Sequence, residues 1–274
     1  MGMVINTNIM AINAQRNLSV TTSNLSTSMA RLSSGKRITA AKDDAAGLAI
    51  SEKLKAQIRG LGQAERNAND GISLVQTAEG AMDEISAMLI RMRELGVQAA
   101  NGTTTTIQKG FLANEFNELS DEITRIANST EFNGTNLLND DGGSVILQVG
   151  INNDNNSQIS VGLVSVTSTD LGVAALSISD TTGAQNALAT LDQAISDLSE
   201  QRGVLGAAQN RLASTVRNLA TTRENLSASN SRIRDVDVAD ESVAMTRSQI
   251  LMQAGSSVLA QANQIPSMAL SLIG

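Results

Sequence analysis

Residues 54–92 read LKAQIRGLGQAERNANDGISLVQTAEGAMDEISAMLIRM. Within them Leu54, Ile58, Leu61, Ala64, Ala68, Ile72, Val75, Ala78, Met82, Ile85, Leu89 and Met92 recur at steps of three or four. That spacing holds one apolar stripe on one face of a helix roughly 60 Å long at about 1.5 Å rise per residue. The segment therefore predicts a rod that packs along one side. Gly60, Gly62, Gly71 and Gly80 each weaken the helix by about 1 kcal/mol relative to Ala, and are read as close-approach or bend positions.

Working outward, Asn101-Gly102 and the Thr103–Thr106 run predict a helical-hairpin turn. A second stripe follows through Leu112, Phe116, Leu119, Ile123 and Ile126. A third long stripe uses Ala184, Leu188, Leu191, Ile195, Leu198, Leu205, Leu212, Val216, Leu219, Leu226 and Ile233, with Arg202, Gln209 and Arg223 at in-phase gaps. Three complementary stripes predict a bundle. Residues 133–183 differ: Gly, Asn, Asp, Ser and Thr punctuate β-branched runs at 144–149 and 158–166, which predicts a β-hairpin turning near 152–156.

At the C-terminus Val236, Val243, Ile250, Val258, Ile265 and Leu272 recur every seven or eight residues, a coiled-coil seam. Ile5, Ile9, Ile12, Leu18, Leu25, Met29 and Leu32 answer it at the N-terminus. The expected fold is mainly α: an elongated helical bundle with a terminal coiled coil and a small β-hairpin region. Its expected parts are 1–45 and 230–274 as the two strands of a coiled-coil domain, and 46–229 as the bundle with the hairpin at about 140–180. So few seam positions bury too little apolar surface to offset the ordering entropy of the C-terminal segment, so the termini are expected to fold fully only against neighbouring copies.

Composition narrows the chemistry. The chain has no His and no Cys, which removes the usual zinc ligands and the Ser-His and Cys-His nucleophile pairs. No catalytic, cofactor-binding or metal residues are predicted. Three Phe are the only aromatics, which suits thin helix-on-helix packing. A net charge of -7 argues against a nucleic-acid partner, and no stretch of about 18 uninterrupted apolar residues predicts membrane insertion. Adjacent Asp43 and Asp44 point about 100° apart on a helix, so they read as turn residues rather than a catalytic pair. Asn139-Asp-Asp-Gly-Gly143 lacks the alternating ligands of a calcium loop and reads as a turn.

Leu32-Ser-Ser-Gly-Lys-Arg-Ile38 and Asp43-Asp-Ala-Ala-Gly-Leu-Ala-Ile50 closely resemble the N-terminal signature of the bacterial flagellins. Val4-Ile-Asn-Thr-Asn8, Asn69-Asp-Gly-Ile72, Gln76-Thr-Ala-Glu-Gly80, Glu131-Phe-Asn-Gly134, Ser229 to Val236 and Met252 to Gln264 fall in the same order as in that family. The resemblance covers both ends and implies a short flagellin with a minimal variable middle. It further implies a secreted, extracellular subunit of the swimming filament, exported through the flagellar type III apparatus. Expected partners are other copies of the chain, an export chaperone, the filament cap and the hook-junction proteins. The polymerisation seam would be Ile5, Ile12, Leu18, Leu25 and Leu32 with Val236, Val243, Ile250, Val258, Ile265 and Leu272.

Arg91-Met-Arg-Glu-Leu95 resembles the stretch read by the vertebrate Toll-like flagellin receptor, so Arg91, Leu95 and Glu115 are its expected contacts. The alternatives are a hook-filament junction protein, a chemoreceptor-type signalling coiled coil, and a flagellin carrying a zinc protease. The first is disfavoured by the dense match to both signatures. The second leaves the hairpin unexplained, and the third requires histidine.

Overall fold

The computed structural model describes residues 7–139 and 143–271, with side chains through Gln264. Five helices carry the described chain: α1 (Ile9–Ser34), α2 (Ala45–Ala100), α3 (Thr106–Ser129), α4 (Thr181–Arg234) and α5 (Val238–Ser271). Between α3 and α4 lie β1 (Glu131–Phe132), β2 (Thr135–Asn136), β3 (Ser144–Gln148) and β4 (Gln158–Gly162). The chain divides into two compact units, residues 57–224 and residues 1–56 with 225–274.

In the unit 57–224, the stripe of α2 is the core: Ala68, Val75, Ala78, Met82, Ile85, Leu89 and Met92 are buried. Phe116 and Ile123 of α3 and Leu191, Leu198, Leu205 and Leu212 of α4 complete it. On α4 the expected positions Ala184, Leu191, Leu198, Leu205, Leu212 and Leu219 are buried, while between them the core takes Ala187, Ala194 and Ala208, with Leu188 and Ile195 only half-buried. Small residues there let helix axes approach more closely than Leu would.

The four-Thr run does two jobs. Thr105 caps α3 in a reciprocal capping box, accepting from Gln108 N while Thr105 N donates to Gln108 Oε1 at 2.9 Å, and Thr106 is already helical. The hairpin β3–β4 has Val145 opposite Val161 and Leu147 opposite Ile159, the inward pairs, while Ile146 and Ser160 face outward. Its second strand ends at Gly162, short of Val166, whose N–H instead reaches Leu138 O at 3.0 Å. Gly71 and Gly60 face this hairpin: a Cβ on Gly71 would overlap Leu147, and one on Gly60 would stand 2.9 Å from Ile151. A Cβ on Gly62 would make ordinary contact with Arg223, and Gly80 has open space around it, so neither is required by packing within the unit.

A shorter hairpin, β1–β2, turns on Asn133 and Gly134 with φ of 52° and 79°. The sequence reading did not include it, although Asn-Gly is the residue pair such left-handed turns favour.

In the unit 1–56 with 225–274, α1 and α5 run antiparallel. Asn8 caps α1 by accepting from Ala11 N, and its Nδ2 donates to Ala262 O at 2.7 Å. Arg31 meets Glu241 at 3.6 Å near the other end of the pair. Gly35 ends α1 in the left-handed region at φ 68°, and its carbonyl accepts from Val236 N at 3.2 Å. Arg37 donates from its backbone N–H to Arg234 O and from Nη2 to Ile233 O, both at 2.7 Å. Ile38, 1% exposed, anchors the link from α1 to α2.

Candidate assembly surfaces

The contact face of α1 carries Ala11, Ala14, Leu18, Thr21, Leu25, Ser28 and Leu32, all half-buried or buried at alternating steps of mostly three and four. The facing stripe on α5 is Glu241, Met245, Ser248, Met252, Gly255, Leu259 and Ala262. Both stripes follow a heptad, and both mix small or polar residues with Leu and Met. The small residues set the spacing: a Cβ on Gly255 would stand 3.4 Å from Leu18 Cδ1, the edge of ordinary contact.

This corrects the expected pairing within the subunit. Leu18, Leu25 and Leu32 do face the partner helix, but Val243, Ile250 and Val258 are 60%, 62% and 57% exposed, and Ile12 is 50% exposed. Val243 and Ile250 stand two residues before Met245 and Met252, roughly 200° around the helix. The strong β-branched ladder of α5 therefore points away from α1. Val236 is half-buried at the α4–α5 turn. Ile5, Leu272 and the side chain of Ile265 lie outside the described residues.

Two open surfaces result on the terminal pair. One is the α5 ladder, where Val243, Thr246, Arg247, Ile250 and Leu251 line a shallow depression. The other is a groove of about 740 Å³ along the α1–α5 pair, lined by Leu18, Leu25 and Met29 of α1 and Gln249, Met252 and Gln253 of α5. Ile9, Met10 and Val20 add further exposed apolar area to α1. Exposed apolar surface of this kind marks an interaction site.

A second candidate surface lies on α2 and α3. Arg91 Nε and Nη2 donate to Glu115 Oε1 at 2.9 and 2.8 Å, and Nη1 donates to Glu94 at 2.9 Å. The hydrogen bonds to Glu115 come first among the causes that raise the Arg91 pKa further. Leu95 does not join them at the surface: it is 1% exposed and belongs to the core. Arg91 and Glu115 are presented together, and Leu95 supports them from beneath.

The in-phase arginines of α4 pair with α2. Arg202 reaches Glu79 at 2.7 Å and Asp83 at 2.9 Å, Arg223 reaches Glu65 at 2.7 Å, and Arg93 of α2 reaches Asp192 at 2.6 Å. The Arg202 pKa is raised, first by its hydrogen bond to Glu79. Lys109, absent from the sequence reading, is buried with its ammonium donating to Thr181 Oγ1 at 2.6 Å. Its long apolar stem suits that position on the α3 core face.

Asp43 and Asp44 build the turn before α2. Asp43 Oδ2 accepts from Thr39 N, Thr39 Oγ1 and Ala40 N at 2.8–3.0 Å, and these bonds lower its pKa, Thr39 Oγ1 foremost. Asp44 Oδ1 accepts from Gly47 N at 2.8 Å. One carboxylate oxygen of each residue is thus engaged within the turn itself, a structural role in the link to α2. Among the described residues no group of three metal-ligating side chains converges, and no helix is long and apolar enough to cross a membrane. Asp140 and Asp141 of the calcium-like stretch lie outside the described residues.

Residues 5–142 match the family described as the bacterial flagellin N-terminal helical region, and residues 188–273 match the bacterial flagellin C-terminal helical region. The chain is 49% identical over 271 residues to the flagellin of Halalkalibacterium halodurans, covering 99% of this chain and 100% of that protein. It is 44% identical over 284 residues to the flagellar filament core protein flaB2 of Brachyspira hyodysenteriae, covering 99% and 100%. Among solved structures, Bacillus cereus flagellin matches with a TM-score of 0.51 and 31% identity, over 56% of this chain and 88% of that one. A flagellar hook-associated protein from Vibrio parahaemolyticus matches with a TM-score of 0.59 at 13% identity, over 70% of this chain and 100% of that one, a likeness of fold alone.

Proposed function

The chain belongs to the bacterial flagellin family and is a structural, non-enzymatic subunit of the extracellular flagellar filament, and from that premise we propose how its terminal helices divide the work of assembly. One face of α1 and α5 holds the two helices together within a subunit. The opposite face, led by Val243, Ile250 and Val258 on α5 and Ile12 on α1, packs against neighbouring copies. Residues 1–45 and 230–274 then make an inner coiled-coil layer, and 46–229 makes the surrounding tube.

The observation that carries this reading is the β-branched ladder on α5, whose Val243, Ile250 and Val258 each stay more than half exposed. Burying each such side chain contributes about 1.5–3 kcal/mol. A ladder on one face and a groove on another are different surfaces, so their contact is heterologous and propagates as an open helix rather than closing as a dimer. The termini thereby gain most of their order on assembly, which suits a chain exported unfolded through the type III apparatus with a chaperone on its C-terminal segment. Cap and hook-junction proteins meet the same terminal surfaces. On the tube, Arg91 and Glu115 form the charged pair that a Toll-like receptor reads, with Leu95 shaping the helix beneath.

Seeded elongation tests the assembly reading. Purified subunits carrying Ile250→Asp or Val258→Asp should fail to elongate sonicated filament seeds while keeping the monomer's melting temperature. Elongation at the rate of the unaltered chain would remove the ladder from the interface.

A further inference from the structure

The groove along the α1–α5 pair carries two thioethers, one from each helix, in a lining that is half apolar and half polar. Met29 is 54% exposed and Met252 is half-buried, and both line the groove with Leu18 and Leu25. Gln249 and Gln253 form its polar rim. Two other methionines, Met82 and Met92, are fully buried in the unit 57–224. These four methionines therefore occupy two environments, one open to solutes in the free subunit and one closed.

We propose that Met29 and Met252 make this groove a redox-sensitive modification site, at which peroxide-class oxidants convert the free subunit to a form that does not assemble. The inference rests on the reading that a second copy of the chain covers the terminal helices in the filament. A sulfur lone pair attacks one peroxide oxygen, the O–O bond breaks, a sulfoxide S–O bond forms, and water leaves. Sulfur is oxidised by two electrons and the peroxide is reduced by two. The product exchanges a soft apolar group for a strong hydrogen-bond acceptor. Covering that acceptor with an apolar neighbour leaves it without a donor, a cost that an open groove lined by glutamine amides does not impose.

Regulation follows from geometry. Once a neighbouring copy lies over the groove, hydrogen peroxide no longer reaches the sulfurs, so mature filament resists what free subunits and the growing end do not. Met82 and Met92 stay reduced in both states and act as internal references. Met10, exposed on α1 but absent from the groove lining, reports oxidation elsewhere on the same helix.

The test exposes intact subunits and preformed filaments to dilute hydrogen peroxide, maps each methionine by peptide mass spectrometry, and measures elongation of untreated seeds. Met29 and Met252 should oxidise roughly tenfold or more faster in subunits than in filaments, and the oxidised subunits should elongate at less than about a tenth of the untreated rate. Methionine sulfoxide reductases should restore elongation, and a Met29→Leu/Met252→Leu chain, compared with its own untreated rate, should elongate no more slowly after peroxide even though Met10 is oxidised. Should that double variant assemble poorly untreated, the reductase recovery on the unaltered chain decides the matter. Protection in filaments combined with unimpaired elongation by oxidised subunits overturns the redox site alone. Equal oxidation rates in subunit and filament instead show that no neighbour covers the groove, which overturns the assembly reading at this face.

Discussion

The two compact units bury their side chains in opposite ways. The unit 57–224 closes on itself: Met82, Ile85, Leu89, Met92, Phe116, Ile123 and Leu191 are all almost fully buried within one continuous core. In the unit 1–56 with 225–274, Ile38 and Ala262 are the only buried apolar residues among those described, while Ile9, Met10, Ile12, Val20, Val243, Ile250, Leu251 and Val258 stand exposed. Chain composition does not cause the difference, since Leu, Ile, Val and Met supply both. The first unit is a finished fold, and the second leaves open the apolar surface that the proposed assembly would cover.

The sharpest way to break that comparison is to cut a cavity in each unit. Phe116→Ala should destabilise the subunit by about 3–5 kcal/mol, because it removes a buried ring that nothing can replace. Ile250→Ala should change monomer stability by no more than about 0.5 kcal/mol, yet slow elongation severely. Thermal unfolding beside seeded elongation separates the two. Equal losses of stability would mean that the α5 ladder is already buried in the free subunit.

A smaller effect divides Leu95 from Arg91. Leu95→Ala should cost about 2–5 kcal/mol as a core truncation, while Arg91→Ala should cost under about 1 kcal/mol, since its ion pairs are half exposed. Receptor activation by folded monomer should drop on Arg91→Ala with melting unchanged, whereas loss on Leu95→Ala should track unfolding. Full activation by the Arg91 variant would remove the charged pair from that role. Smaller again, Gly134→Ala forces a side chain into the left-handed region at φ 79° and should cost about 1–2 kcal/mol in the unit 57–224. Denaturant unfolding reads it, and an unchanged midpoint would show that the β1–β2 turn relaxes freely.

The gentlest effect is on pH. Folding lowers the pKa of Asp43 through its bonds from Thr39 and Ala40, and that of Asp170 through bonds from Ser165 and Thr167. Both groups therefore bind protons less readily when folded, so their stabilisation is complete above the unfolded aspartate value of about 3.9 and is lost as pH falls through the lowered values. Asp43→Asn should flatten the acid limb of the stability profile and leave neutral pH to report the lost hydrogen bonds. An acid limb identical to that of the unaltered chain would exclude Asp43 from it.

The sequence made the finished unit easy to read and the unfinished one hard. Along α2, α3 and α4, large apolar residues at helical spacing mark the core because burial and hydropathy coincide there. On α4 the expected Leu191, Leu198, Leu205 and Leu212 are buried, and only the intermediate core positions Ala187, Ala194 and Ala208 escape notice, because small residues carry little signal. On α1 and α5 the contact face keeps the legible Leu18, Leu25 and Leu32 but interleaves Ala11, Ala14, Ser28, Ser248 and Gly255, which carry little hydropathy signal, while the loud Val243–Ile250–Val258 ladder faces outward. Periodicity identified an apolar stripe on α5 correctly, but it does not state which body the stripe will touch. Leu95 continues the buried series Ile85, Leu89 and Met92 at a step of three, so its depth follows from the same spacing, although the resemblance to a receptor-read stretch drew it to the surface.

Hydrogen exchange resolved by peptide, in subunit and in filament, tests the division most directly. Amides of 74–92 should be strongly protected in both states, whereas those of 238–264 should exchange rapidly in the subunit and slow by roughly a thousandfold or more on assembly. Strong protection of 238–264 already in the free subunit, unchanged in the filament, would contradict the account.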